Sequence, residues 1–246
     1  MDKSKYNKCR LCLKKKKLQH SHILPEFMYI NTYDEKHRAI KVTSIQGEKE
    51  RYIQKGEREY LLCQDCETHI SKYEGYSALI IKTFPTLQRD RTGEFLKLNT
   101  PSVDYKIFKL FQMSILWRAS IAKSPVFDAV KLGKQEERLR NMLLDNKPGM
   151  SHNFGCLMVI IQNTEQLKQI VVAPVKDDIE GKICYRFQTG ELFWYFFITS
   201  FPKEHPIRNS FLSEDGNLPV LIAPWKEEEV IQRITGLIAQ KYSKNR

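Results

Sequence analysis

Between residues 103 and 123 the chain reads VDYKIFKLFQMSILWRASIAK, and its apolar positions run almost all the way round a helical wheel. Phe108, Phe111, Ile115, Ala119 and Ala122 share one face, while Ile107, Leu110, Trp117 and Ile121 fill another. A helix without a wide polar face belongs in an interior, so this segment is predicted to be a buried central helix. Pro101-Ser102 marks its start and Pro125 ends it. Two further helical patterns accompany it. From Asp65 onward, Ile70, Tyr73, Ser77 and Ile80–Ile81 recur at three- and four-residue intervals up to the breaker Pro85. Between Lys134 and Asp145, Leu139, Met142 and Leu143 point inward, and Pro148-Gly149 stops the pattern.

Elsewhere the period shortens to that of strands. Arg38 to Ile45 alternates in part, with Glu50 to Gln54 as its partner and Gln46-Gly47 near the turn. After residue 151 four strands are predicted: Gly155 to Gln162, Gln169 to Val175, Lys182 to Gln188 and Glu191 to Thr199. Thr189-Gly190 supplies a tight hairpin between the last two. A final amphipathic helix over Lys226 to Lys241 puts Val230, Ile231, Ile234 and Ile238 on one stripe. The longest apolar run, Leu192 to Ile198, is strand length and far below the ~20 residues of a membrane helix. No membrane partner is expected.

Charge changes the picture at one end. The net charge of +11 is concentrated near the N-terminus, where residues 1–22 hold eight Lys or Arg and one acid. The Lys14, Lys15, Lys16, Lys17 run is its densest part. Such a patch fits a polyanion, most simply nucleic acid, although a solvated basic tail has the same composition. The start of the chain is charged and lacks the apolar core of a secretion signal, so a cytoplasmic location is expected. In that compartment paired cysteines favour metal over disulfide.

Cys9-x-x-Cys12 and Cys63-x-x-Cys66 are two such pairs, separated by 50 residues. A two-residue gap turns both thiolates of a pair toward one cation, and two pairs complete a tetrahedral zinc site. Four thiolates leave no open position for substrate, so this zinc is expected to be structural. Cys156 and Cys184 lie in apolar strand-like runs and read as core.

Three features together carry a resemblance: the first knuckle, then His20-Ser21-His22-Ile23-Leu24-Pro25, then Leu61-Leu62-Cys63-Gln64-Asp65-Cys66-Glu67 opening a helix. Over residues 9–75 the chain resembles the HNH group of nucleases, the zinc-ribbon branch of the His-Me finger fold. The resemblance implies a hydrolase, a divalent-metal endonuclease acting on phosphodiesters, with a place in bacterial defence. His22 matches the general base that activates water. Ser21 stands where the family has a metal-binding Asp, Glu67 where it has a metal-binding His, and Arg58 where it has the Asn that orients the base. Of the three signature residues, the base His, the Asn and the metal-binding His, one is kept, at His22. A hard cation, Mg²⁺ or Mn²⁺, would use Glu67. Without catalysis, His22 packs the hairpin and Arg58 contacts phosphate or a carboxylate. Glu67 is then an acid in the first turn of a helix, where the dipole favours it.

The expected fold is therefore α+β: a treble-clef-like, HNH-like zinc module over 1–98 and an α+β body over 101–246. The body is helical over 101–148, followed by an antiparallel sheet and a terminal helix over 151–246. The aromatic run Phe193 to Phe197 has rings for base stacking, but at least half of them belong to a core. Arg118 is expected to reach an internal acid or the surface. The functional alternatives are an endonuclease, a noncatalytic nucleic-acid-binding or adaptor protein on the same scaffold, and a module for protein partners.

Overall fold

The buried central helix organises the fold. In the computed structural model, which describes residues 6–43, 47, 49–92, 95–162, 165–179, 181–202 and 204–224, it runs as α2 over Tyr105–Ile121. Its cap is Asp104, whose carboxylate accepts from the Ile107 N–H at 2.9 Å. Phe108, Leu110, Phe111, Ile115, Leu116, Trp117 and Ala119 are fully buried. Helix α1 (Gln64–Thr83) and helix α3 (Lys134–Leu144) pack against it. The predicted stripe of α1 is the buried one: Ile70, Tyr73, Ser77 and Ile81. Elsewhere α2 meets a sheet, where Phe111 stands edge-on to Trp194 with centroids 6.1 Å apart.

That sheet has nine strands. The predicted pair forms as β3 (Ala39–Val42) against β4 (Arg51–Ile53), antiparallel. The four predicted later strands form as β8 (Cys156–Gln162), β9 (Ile170–Ile179), β10 (Lys182–Thr189) and β11 (Leu192–Phe197). Gly190 turns the hairpin between the last two with a positive φ of 60°. Three strands were not read from the sequence: β6 (Arg89–Thr92), β7 (Phe95–Leu98) and β12 (Val220–Pro224). The order is β4-β3-β9-β10-β11-β8-β12-β7-β6.

Two expectations about this sheet are corrected. It is mixed rather than antiparallel, because β3 lies parallel to β9 and β12 parallel to β8. It is also not confined to the C-terminal part, since β3, β4, β6 and β7 come from before residue 99. One sheet thus spans the division between 1–98 and 101–246. Alternation reports which face of a strand is buried, not its direction or its neighbours. Of the aromatic run, Phe193, Trp194, Phe196 and Phe197 are buried. They build the core and are not available for stacking a ligand. The helix predicted over 226–241, like Gln46 of the predicted turn, lies outside the described residues. Among the described residues no helix is long and apolar enough to cross a membrane.

A second sheet of three strands carries the cysteines: β1 (Tyr6–Lys8), β2 (Lys15–His22) and β5 (Arg58–Cys63) in the order β1-β2-β5, all antiparallel. A bulge between Gln19 and His20 shifts the register of β2 against β5. Cys63 ends β5 and is also the N-cap residue of α1, so strand runs directly into helix.

The polar residues of α2 are not on a wet face. Lys109, Gln112, Ser114 and Arg118 are all at most 1% exposed. Lys109 Nζ donates to the carbonyls of Ser151 (3.1 Å) and Phe154 (2.8 Å), tying down the loop before β8. Burial lowers its pKa from 10.5 to about 8. Between those values the unfolded chain binds more protons than the fold, so this group adds stability as pH rises through the window. Urea denaturation of wild type and Lys109→Met at pH 7 and pH 10.5 will show it. The wild type should gain about 3 kcal/mol on the variant across that range; a gap that does not move with pH would refute the assignment.

Candidate metal centre and nucleic-acid interface

Cys9 and Cys12 occupy the turn between β1 and β2, while Cys63 and Cys66 flank the start of α1. The turn is closed by the Cys9 N–H to the Lys14 carbonyl and the Leu13 N–H to the Cys9 carbonyl, both 2.9 Å, with Leu13 at a positive φ of 60°. The Cys63 N–H donates to Cys9 Sγ at 3.3 Å. All four sulfurs lie within 4.8 Å of one another, and those of Cys12 and Cys63 are 3.9 Å apart. A tetrahedron with ~2.3 Å arms has edges of ~3.8 Å. The Cys66 thiol, with the N–H groups of Cys12, Cys63 and Leu11, holds the Cys9 thiol far below its ordinary pKa, while Cys66 is pushed up beside it. A stabilised thiolate is the form that binds metal. These four cysteines can hold one metal ion. Cys156 and Cys184 are buried on β8 and β10, away from the cluster, and burial pushes both thiols up, Cys184 to about 12.

His22, the last residue of β2, pairs across the sheet with Arg58, the first of β5. Arg58 Nε donates to His22 Nε2 at 2.7 Å, and Glu26 Oε2 lies 3.2 Å from the same nitrogen. A guanidinium is always protonated, so Nε2 is the acceptor and the imidazole is neutral. Burial first, then the charge of Arg58, holds the His22 pKa below its ordinary value against the opposing pull of Glu26. Glu26 is itself fixed by the Tyr33 hydroxyl at 2.6 Å. The two residues that the resemblance pairs as base and orienting group are therefore in direct contact.

Ser21 points the other way, into the interior. It is 2% exposed, and its hydroxyl donates to Glu67 on the first turn of α1. Burial raises the Glu67 carboxyl, with the Ser21 hydroxyl and the charge of Arg118 opposing. Arg118 of α2 is paired with Glu74 of α1 at 2.5 Å and donates to the His22 carbonyl at 2.9 Å. Of the two outcomes expected for Arg118, an internal acid or the surface, it takes the first, at Glu74. The positions that the resemblance assigns to a second cation are bonded to each other. Among the described residues, the four cysteines are the one group of three or more Cys, His, Asp or Glu side chains whose ligand atoms converge. His69 is bound to the Leu143 carbonyl and the Tyr73 hydroxyl, both 2.9 Å, and joins α1 to α3.

Sequence reasoning passed over Glu26 and Glu74. The signal for Glu26 was its place four residues after His22. Glu74 had no signal beyond lying on a helix with a buried stripe.

The lysine run is structured. Lys16 Nζ pairs with Asp65 of α1 at 2.6 Å. Lys15 and Lys17 are exposed on the opposite face of β2. There they face Lys8 and Tyr6 of β1 in direct register, so Tyr6, Lys8, Lys15 and Lys17 share one face. Lys14 is exposed beside them. Beyond them His20 and Tyr60 stack with centroids 5.0 Å apart. Both line a groove of about 620 Å³ between this hairpin and the helices α2 and α3. Lys8, Arg10, Arg58, Lys123, Arg140 and Trp117 line it too. No protein-family model, curated protein or solved structure matches the chain.

Proposed function

We propose that the protein binds nucleic acid through the β1–β2–β5 hairpin, whose fold is held by one structural zinc ion at Cys9, Cys12, Cys63 and Cys66. The observation that carries this reading is the like-charged face of β1 and β2. Lys8 stands directly opposite Lys15, with Lys17 next along the strand and exposed Tyr6 across from it. Like charges in direct register destabilise a sheet, and a phosphate backbone relieves that repulsion while releasing its counterions. Phosphate contacts of this kind position a chain without reading its sequence.

A second reading keeps the chemistry of the HNH resemblance: cleavage of phosphodiesters with Mg²⁺ or Mn²⁺. It is favoured by the neutral His22 imidazole, the protonation state a general base requires, and by the Arg58 guanidinium beside it, suited to a phosphate oxygen. Set against it are the Ser21–Glu67 bond and the lack of a second converging ligand group among the described residues. Bacterial defence is a setting consistent with either reading.

Anisotropy titrations of labelled DNA and RNA over a salt series test the first reading. Lys15→Glu/Lys17→Glu should weaken binding and lower the slope of log K against log salt by about 1 for each phosphate no longer neutralised. Absence of binding at low salt by zinc-loaded protein would sink it. Plasmid and RNA cleavage with Mg²⁺ and Mn²⁺, beside His22→Ala, decides the second. Activity abolished in a folded variant supports catalysis, whereas binding without cleavage leaves the noncatalytic reading.

A further inference from the structure

The groove beside the hairpin has the features of a seat for an unpaired base. At about 620 Å³ it lies within the ~300–1,000 Å³ of clefts that hold small ligands. Its wall carries the stacked His20–Tyr60 pair, and Tyr60 is 46% exposed. Tyr60 therefore brings a partly exposed ring, stacked on His20, to the wall of a concavity.

Its cations divide into two sets. Arg10 pairs with Glu136 at 3.5 Å and Arg140 with Glu137 at 2.6 Å, so these four residues staple the first knuckle to α3. Lys8, Arg58 and Lys123 have no carboxylate within ion-pair distance among the described residues and leave the groove a net positive lining. The remaining acid, Glu59, is occupied by the backbone N–H groups of Lys123 and Ser124 at 2.7–3.0 Å.

We propose that this groove binds single-stranded nucleic acid, seating one unstacked nucleotide with its base on Tyr60 and His20 and its phosphates at Lys8, Arg58 and Lys123. The inference rests on the nucleic-acid reading above and specifies its substrate. A duplex hides its base faces within the stack and offers the groove only backbone, whereas an unpaired base stacks on an exposed ring whatever its identity. Arg58 also contacts His22, so a phosphate held there is beside the one imidazole that the resemblance marks.

The test is a set of anisotropy titrations with fluorescein-labelled oligo(dT), oligo(U) and a duplex of equal length, at matched salt, on the full zinc-loaded chain. Single strands should bind at least about tenfold tighter than the duplex. Tyr60→Ala should weaken single-strand binding about 5- to 150-fold, the loss of one base–aromatic stack, and leave duplex binding unchanged. Tyr60 is a surface residue of β5, and far-UV circular dichroism with a zinc determination checks the fold. Lys17→Glu, outside the groove, should weaken single strand and duplex alike. Oligo(dT) against oligo(U) shows which sugar is preferred. Equal or tighter duplex binding, or single-strand binding indifferent to Tyr60→Ala, overturns the groove assignment while the broader reading stands. No binding of any of the three at low salt overturns both.

Discussion

Cys63→Ser should release the zinc proposed for the four-cysteine cluster and unfold the hairpin before the rest of the chain. Cys63 is 1% exposed, and its sulfur sits among the three other thiols within 4.8 Å. The three-stranded sheet is small, and β1 has only three residues. Two- and three-stranded sheets of this size need packing or a metal to persist in water. Structural zinc contributes on the order of 10 kcal/mol in isolated zinc-binding peptides. In a chain whose hairpin also packs on α1 and α2, a loss of about 4 kcal/mol is a conservative expectation, which lowers Tm by roughly 8–16 °C. Hydrogen exchange should open first over residues 6–22 and 58–66. Cys156→Ser, altering a core thiol on β8, should keep one zinc per chain. A strong chelator should reproduce the Cys63→Ser pattern in the wild type. If purified protein holds no zinc, or Cys63→Ser retains it with unchanged exchange at the hairpin, the four cysteines are not a metal centre.

The parts of this centre that could be read from sequence share one property: they depend on spacing within a short window. Two Cys-x-x-Cys pairs predict a four-thiol cluster, because the covalent chain itself sets the distance between the members of each pair. The stripe of α1, the burial of α2 and the Thr189-Gly190 hairpin are local in the same sense. What escaped was set by distant partners. β12 is a five-residue strand, and only its parallel neighbour β8 and antiparallel neighbour β7 make it part of a sheet. The pairing of His22 with Arg58 required knowing that β2 and β5 are adjacent and that a bulge at Gln19/His20 sets their register. Ser21 and Glu67 are 46 residues apart, and nothing between them announces their contact.

α2 illustrates the difference within one element. Its apolar pattern correctly marked it as buried. The same pattern gave no fate for Lys109 and Gln112 and left Arg118 between an internal acid and the surface. Each sits where another segment brings a carbonyl, a thioether or a carboxylate to it. A charged residue within an otherwise apolar helix is thus a pointer to a buried partner, and Arg118 is the instance that touches the candidate site.

Arg118→Met should destabilise the protein by about 3–5 kcal/mol, the cost of stranding one member of a buried ion pair. Arg118 is 1% exposed and spans three elements. It pairs with Glu74 of α1 at 2.5 Å, donates to the His22 carbonyl at 2.9 Å and to the Ser114 carbonyl at 3.4 Å. Methionine fills much of the same volume, so the cavity contribution is small. Most of the loss should come from the Glu74 carboxylate, whose side chain is 22% exposed and would keep its charge without its partner. Removing both charges separates these contributions. Arg118→Met/Glu74→Gln should recover half or more of the forfeited stability in urea denaturation, as expected when the penalty lies in an unpaired charge. The His22 carbonyl remains without its donor in both variants, so amide exchange around His22 and Ile23 should stay faster than in the wild type even where global stability returns. If the double variant is no more stable than Arg118→Met, the penalty lies in the hairpin contact and not in the ion pair. Arg118 would then be primarily the strut that holds the end of β2, and with it His22, against the central helix.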